Sequence, residues 1–105
     1  MGRNQEAIDL FRQSLALNPR QPHVHNNLGG ALAAAGVASE AEPHYRRAIE
    51  LKPDYTEARY NLALLLMDKD PETARTLLRA VTSAGPTFGP GWEALSIVLG
   101  KLDDR

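Results

Sequence analysis

NLGGAL at residues 27–32 and NLALLL at residues 61–66 are two versions of one stretch, and this repetition decides the fold. The two copies lie 34 residues apart, and the same spacing separates Pro19 from Pro53. Further along the chain the interval is 33 residues, as between Pro53 and Pro86. In a helical chain, a period of about 34 residues indicates pairs of helices that stack on one another. We therefore predict an all-α chain built from such pairs.

The ends of the predicted helices carry their own signals. Gly36 follows the second apolar segment, where glycine commonly caps a helix. SEAE at residues 39–42 predicts a capping box that starts the third helix, with Pro43 in its first turn. Pro22 predicts the start of the second helix, and Asp70 before Pro71 predicts the start of the fifth. No segment alternates with period two, so we predict no sheet but an α-α superhelix of about six antiparallel helices.

Small and bulky residues recur at matching positions of the repeat. The small residues stand where the first helix of a pair must approach the second closely: Gly29, Ala63 and Ser96. The bulky residues stand on the second helices: Phe11, Tyr45 and Leu78. One pair cannot bury its apolar face alone, so we expect neighbouring pairs to stack through these residues.

Composition describes an ordinary globular domain. The chain has 105 residues, of which 43% are hydrophobic and 24% charged, which suits a single domain. A net charge of −1 gives no reason to expect nucleic acid or an anionic membrane as a partner. No apolar run approaches the ~18 residues of a membrane span. The chain has no cysteine, which excludes thiolate chemistry but does not identify the compartment. The cytoplasm is our default expectation.

No catalytic, cofactor-binding or metal-binding site is predicted. His23 and His25 are two residues apart, whereas a helical ligand pair needs a spacing of four, and His44 lies on another helix. The carboxylates are scattered and form no pair suited to acid–base catalysis. We therefore predict that the chain is not itself an enzyme.

The repeat resembles that of the tetratricopeptide repeat family. The residues that carry the resemblance are Leu28, Gly29, Leu32, Ala41, Tyr45, Ala48 and Pro53, then Leu62, Ala63, Leu66, Ala74, Leu78, Val81 and Pro86, then Trp92, Leu95, Ser96 and Leu99. Aligned with the family pattern, the chain divides into a half-repeat at residues 1–21, full repeats at 22–55 and 56–88, and a half-repeat at 89–105.

The resemblance implies a concave groove that is lined by the first helix of each pair and binds a peptide or a segment of a protein partner. By position, the groove residues are His23, Asn26, Asn27, Gly30, Ala33, Ala34, Glu57, Tyr60, Asn61, Leu64, Met67, Asp68, Pro90, Glu93, Ala94, Ile97 and Lys101. Asn27 and Asn61 form a row similar to that in the repeat region of O-linked N-acetylglucosamine transferases, and such amides could hold a peptide backbone. Asparagine also suits a plain helix surface, and the sequence leaves both interpretations open. The cationic clamp of co-chaperones in this family has no counterpart here.

Two other functions are compatible with the sequence. Terminal half-repeats should leave apolar flanks, so the chain could associate with itself through Phe11 and Leu15 at one end and Trp92 and Val98 at the other. The resemblance also permits the chain to be the targeting arm of a larger enzyme of the glycosyltransferase or sulfotransferase type. Fold alone does not choose between these functions.

Overall fold

A computed structural model describes residues 2–103, which form six α-helices and contain no strand. The six helices are α1 (Gly2–Leu17), α2 (Pro22–Ala34), α3 (Ala38–Leu51), α4 (Thr56–Leu66), α5 (Pro71–Ala84) and α6 (Gly89–Asp103). Each helix packs on the next in the chain, and α2 also contacts α4. The predicted all-α superhelix is confirmed. Met1 and residues 104–105, which belong to the two predicted half-repeats, lie outside the described residues.

Most predicted helix ends match the structure. Pro22 and Pro71 are first residues of α2 and α5, where the missing amide costs no hydrogen bond. The Asp70 carboxylate accepts from the Thr73 amide at 3.2 Å and from the Thr73 hydroxyl at 2.7 Å. These two bonds lower the pKa of Asp70, the hydroxyl bond being the stronger cause. Gly36 has φ +82°, which only glycine adopts without strain, and it ends α2 as expected.

The predicted start of α3 was wrong. The Val37 carbonyl accepts from the amides of Glu40 and Ala41, both at 3.1 Å, so the helix begins at Ala38, before the expected capping box. Val37 stands at the N-cap and has no side-chain oxygen to cap the helix. Pro43 is therefore the sixth residue of α3, in its second turn rather than its first.

The core follows the repeat. The repeated leucines Leu28 and Leu62 are 0% and 1% exposed, and both belong to one core cluster. Ala63 is also fully buried. Ser96, the third small residue of that series, is exposed. Within residues 2–103 no helix follows α6, and this explains the difference.

None of the helices within residues 2–103 combines the length and the apolar character that a membrane crossing requires.

Candidate functional site

The first helices of the pairs, α2, α4 and α6, share one surface of the molecule. α2 contacts α4 directly, and residues of α4 and α6 line a common depression. We call this surface the α2/α4/α6 face. Two adjoining depressions mark it, and Tyr60 lies between them because it lines both.

The larger depression, which we call the aromatic pocket, is about 480 Å³ in volume and lies beside the first half of α4. Its lining residues are Thr56, Glu57, Tyr60, Asn61 and Phe88. The rings of Tyr60 and Phe88 meet edge to face, with centroids 5.1 Å apart and an angle of 82°. Phe88 is held in the turn before α6, where its amide donates to the Gly85 carbonyl at 3.0 Å. The wall is therefore aromatic, and the exposed Glu57 adds a negative charge.

The smaller depression, which we call the apolar trough, is about 170 Å³ in volume and lies between α4 and α6. Its lining residues are Tyr60, Leu64, Met67, Pro90, Glu93, Ala94 and Ile97. Leu64 and Ile97 are 43% and 46% exposed, although leucine and isoleucine are normally buried. Large apolar side chains collected on one face indicate a contact surface.

A chain of hydrogen bonds connects the face to the interior. Asn61 donates through Nδ2 to Asn26 Oδ1 at 3.2 Å, and Asn26 Nδ2 donates to the Tyr55 hydroxyl at 3.3 Å. The Tyr55 hydroxyl lies 2.9 Å from His23 Nδ1, to which it can donate in turn. Burial raises the pKa of Tyr55 and outweighs the opposing bond from Asn26, so the phenol keeps its proton. Every member of the chain is thereby positioned by its neighbours.

The structure separates the asparagines that the sequence placed together. Asn26 is only 3% exposed, so the expectation that it faces the groove was wrong: its amide is occupied by Tyr55 and Asn61. Asn27 is exposed and lines neither depression. Asn61 lines the aromatic pocket and bonds to Asn26 rather than to its repeat equivalent Asn27.

Other predicted groove residues lie on the two depressions. Tyr60, Leu64 and Ile97 form their walls, and Gly30 is half-buried outside both. The prediction missed Phe88, which is 40% exposed and forms half of the aromatic wall. One feature of the sequence could have identified Phe88: it is a large aromatic residue directly after GPT at residues 85–87. Such turn segments normally carry polar residues.

The residues predicted for self-association differ in accessibility. Phe11 and Leu15 are half-buried and pack on the core. Trp92 is 49% exposed, and its indole nitrogen donates to the Pro86 carbonyl at 2.8 Å. Val98 is fully buried in the core cluster, so the expectation that it lies on an open flank was wrong. Its position on α6 turns it towards the core instead of the free side of the helix.

The histidines serve structural contacts. His25 Nε2 lies 2.8 Å from the Pro19 carbonyl, which only accepts, so this nitrogen carries the proton. His25 Nδ1 then accepts from His44 Nδ1 at 3.1 Å, with the rings stacked. Burial, followed by His25 and Arg12, lowers the pKa of His44. Among residues 2–103 no three metal-ligating side chains come together.

Comparison with known proteins gives a consistent result. Two models of the tetratricopeptide repeat match the chain, one over residues 1–56 and one over residues 32–96. The peroxisomal targeting signal receptor of Eremothecium gossypii is 40% identical over 91 residues, which are 82% of this chain and 16% of the receptor. The cytochrome c-type biogenesis protein CycH of Bradyrhizobium diazoefficiens is 32% identical over 99 residues, which are 90% of this chain and 27% of that protein. The chain thus spans a small part of the relatives it matches.

Solved structures agree in fold. The first tetratricopeptide domain of Spaghetti (RPAP3), bound to an HSP90 peptide, superposes with a TM-score of 0.92 at 21% identity, over 97% of this chain and 82% of that one. YrrB, described as having an unusual peptide-binding site, gives a TM-score of 0.88 at 24% identity, over 99% of this chain and 54% of that one. The family models cover more than half of the chain, and the helix pairs and their spacing agree with them. The chain therefore belongs to the tetratricopeptide repeat family.

Proposed function

We propose that this chain is a non-catalytic interaction module that binds an extended segment of a partner protein on the α2/α4/α6 face. The observation that carries the proposal is the group of exposed apolar side chains around the two depressions. Leu64, Phe88 and Ile97 are 43%, 40% and 46% exposed, whereas most of the other large hydrophobic residues are buried or half-buried. The sequence relatives include receptors for a targeting signal, and a structural neighbour was solved with a peptide, which supports the same role.

The chemistry of the face suits a modest, reversible contact. Leu64 and Ile97 offer apolar area, and Tyr60 offers an aromatic ring that is already held by Phe88. Asn61 uses its Nδ2 group within the protein, while its Oδ1 has no partner among the described residues and could accept from a peptide amide. We expect dissociation constants on the order of 10–100 µM, since ordering an extended peptide offsets much of the contact energy.

The partner segment differs from the one in the RPAP3 structure. That peptide, SRMEEVD, carries three acidic residues. Neither depression of this chain is lined by lysine or arginine, the residues that bind carboxylates most strongly. An acidic tail would therefore find no cationic partner in either depression.

The test is to select binders from a library of random extended peptides and to map one of them by amide chemical-shift titration. The variant Leu64→Ala/Ile97→Ala truncates two exposed side chains of the trough and should leave the fold intact. We expect it to weaken binding about tenfold or more, since buried apolar anchors each contribute roughly 1 kcal/mol. Leu17→Ala is the matched control, because Leu17 is 90% exposed on α1. Equal binding by both variants would refute the proposal.

Self-association is a second candidate, favoured by the two ends of the stack. Phe11 is half-buried, whereas its repeat equivalents Tyr45 and Leu78 are 4% and 0% exposed. Trp92 and the half-buried Leu99 lie at the opposite end. Light scattering across a concentration series tests this candidate, with Trp92→Glu expected to lower the average mass. A wild-type chain that stays monomeric at ~100 µM excludes contacts of micromolar strength.

A further inference from the structure

We propose that the α2/α4/α6 face selects partner segments in which an apolar or aromatic anchor is flanked by lysine or arginine. This inference rests on the function proposed above and specifies the chemical class of the segment. It is carried by the charges around the two depressions and by the position of Tyr60 between them.

The charged groups of the two depressions are carboxylates. Glu57 lines the aromatic pocket and Glu93 lines the apolar trough, and no lysine or arginine lines either one. Both glutamates are exposed and neither forms an ion pair within residues 2–103. Their charge is thus available to a partner.

Lys101 is the basic residue of α6, and it already forms an ion pair within the protein. Lys101 Nζ lies 2.7 Å from Asp68 Oδ1 and offsets that carboxylate. Lys69 lines the same depression as Lys101 and Asp68, and its Nζ lies 3.0 Å from Glu42 Oε1. Both lysines are therefore paired, whereas Glu57 and Glu93 on the α2/α4/α6 face form no ion pair in the described part of the chain.

The position of Tyr60 indicates how far the partner's anchor side chain lies from the partner's flanking lysine or arginine. Glu57 and Tyr60 are three residues apart on α4, so their Cβ atoms are about 5–6 Å apart on the same side of the helix. Tyr60 shares the trough with Glu93, which approaches it from α6. A side chain that packs on Tyr60 thus has one carboxylate in each of the two depressions that Tyr60 lines, Glu57 in the aromatic pocket and Glu93 in the apolar trough. A flanking lysine reaches that far, and an arginine can also lie over an aromatic ring.

The experiment uses three peptides with both ends blocked, so that the termini carry no charge. The first is Gly-Ser-Lys-Phe-Lys-Ser-Gly, the second has glutamate in place of each lysine, and the third has alanine in place of phenylalanine. Amide chemical-shift titration of the whole chain gives the dissociation constant and the location of each peptide. We expect the lysine peptide to bind about tenfold more tightly than the glutamate peptide at low salt, and this ratio to shrink as salt rises. The alanine peptide should bind more weakly than the lysine peptide at any salt concentration.

Two double variants locate the effect. Glu57→Gln/Glu93→Gln should reduce the preference for lysine to less than about twofold while phenylalanine still binds. Glu6→Gln/Glu40→Gln removes the same number of charges from α1 and α3 and should leave the preference unchanged.

The possible outcomes separate this inference from the proposed function. Equal binding of the lysine and glutamate peptides to the face overturns the inference and leaves the proposed function standing. The inference is likewise overturned if the preference survives in Glu57→Gln/Glu93→Gln, or if the alanine peptide binds as well as the lysine peptide. If no peptide perturbs residues of the face, the proposed function fails for such segments, and the inference fails with it.

Discussion

Gly29 of α2 lies against the ring of Tyr45 of α3, so that a Cβ atom on Gly29 would stand 2.7 Å from both Cδ1 and Cε1 of the ring. Real Cβ atoms do not approach a ring carbon so closely. The glycine therefore sets the distance between the two helices of the first full pair. Tyr45 occupies the space that a side chain at position 29 would need, and it is 4% exposed.

A larger residue at position 29 should force α2 and α3 further apart. We expect Gly29→Ala to lower the free energy of unfolding by about 1–3 kcal/mol, since the tyrosine or the helix must move. Urea unfolding measures the change. Gly30→Ala is the control, because a Cβ there would meet only the Tyr45 hydroxyl, at an ordinary 3.9 Å. The control should be neutral or stabilising by up to ~1 kcal/mol. A stable Gly29→Ala protein would contradict the packing described here.

The Tyr55 hydroxyl should contribute to stability through the buried Asn26. Tyr55→Phe leaves the Asn26 amide without its acceptor, and we expect a loss of about 1–2 kcal/mol in the free energy of unfolding. Tyr60→Phe removes a hydroxyl that makes no hydrogen bond within residues 2–103 and should change stability little. Thermal or urea unfolding of both variants checks the difference. Similar losses in the two would show that the Asn26 bond is not the cause.

Stability should depend on pH through His44. Its pKa is lowered in the folded state, by burial first and then by His25 and Arg12, with Glu40 opposing. The unfolded chain therefore takes up the proton near the ordinary value of 6.5, before the folded chain does. The free energy of unfolding should fall as the pH drops below about 6.5, until the folded-state pKa is reached.

The variant His44→Asn isolates this contribution. Its side-chain amide can donate to His25 Nδ1 as the imidazole does, but it does not titrate. Urea unfolding between pH 5 and pH 7, taken as roughly one unit either side of a normal histidine pKa, should give a smaller slope for the variant than for wild type. An identical slope in both proteins would assign the pH dependence to other groups.

The two repeat-related asparagines should differ in their effect on peptide binding. Asn61 lines the aromatic pocket, whereas Asn27 lines neither depression. We expect Asn61→Ala to weaken a selected peptide by about three- to tenfold, the range of a single hydrogen bond, and Asn27→Ala to have a smaller effect. Equal losses would favour a continuous row of asparagines like that suggested by the sequence. If neither variant loses affinity for the peptide, neither asparagine belongs to the binding surface.

Much of the scaffold could be predicted because its causes are local. The spacing of the repeat predicted helix pairs, and Pro22, Pro71, Asp70 and Gly36 marked their ends. The start of α3 was misjudged, because Ser39 and Glu42 have the residue types of a capping box while the Val37 carbonyl forms the first helical bonds. A capping motif is only a preference, and backbone hydrogen bonds to a carbonyl two residues earlier can replace it.

The candidate site was less predictable, and Asn26 and Asn27 show why. Neighbouring residues on a helix point about 100° apart, so a small error in the assumed orientation exchanges a buried amide for an exposed one. Position in the repeat related Asn27 to Asn61, but side-by-side packing of α2 and α4 brought Asn26 to Asn61 instead. Val98 was misplaced for the same reason.

The sequence by itself determined the class of fold, the order and approximate length of the helices, and the small and bulky residues that match between repeats. These properties follow from the period of the repeat, which recurs along the whole chain, and from caps and turn residues, which act within about one helical turn. Only the tertiary structure decided which residues from different parts of the chain come together: Phe88 with Tyr60, His25 with His44, and Glu57 and Glu93 in the two depressions that Tyr60 lines. Such contacts depend on the distance and angle between packed helices, and no single segment of the chain determines them.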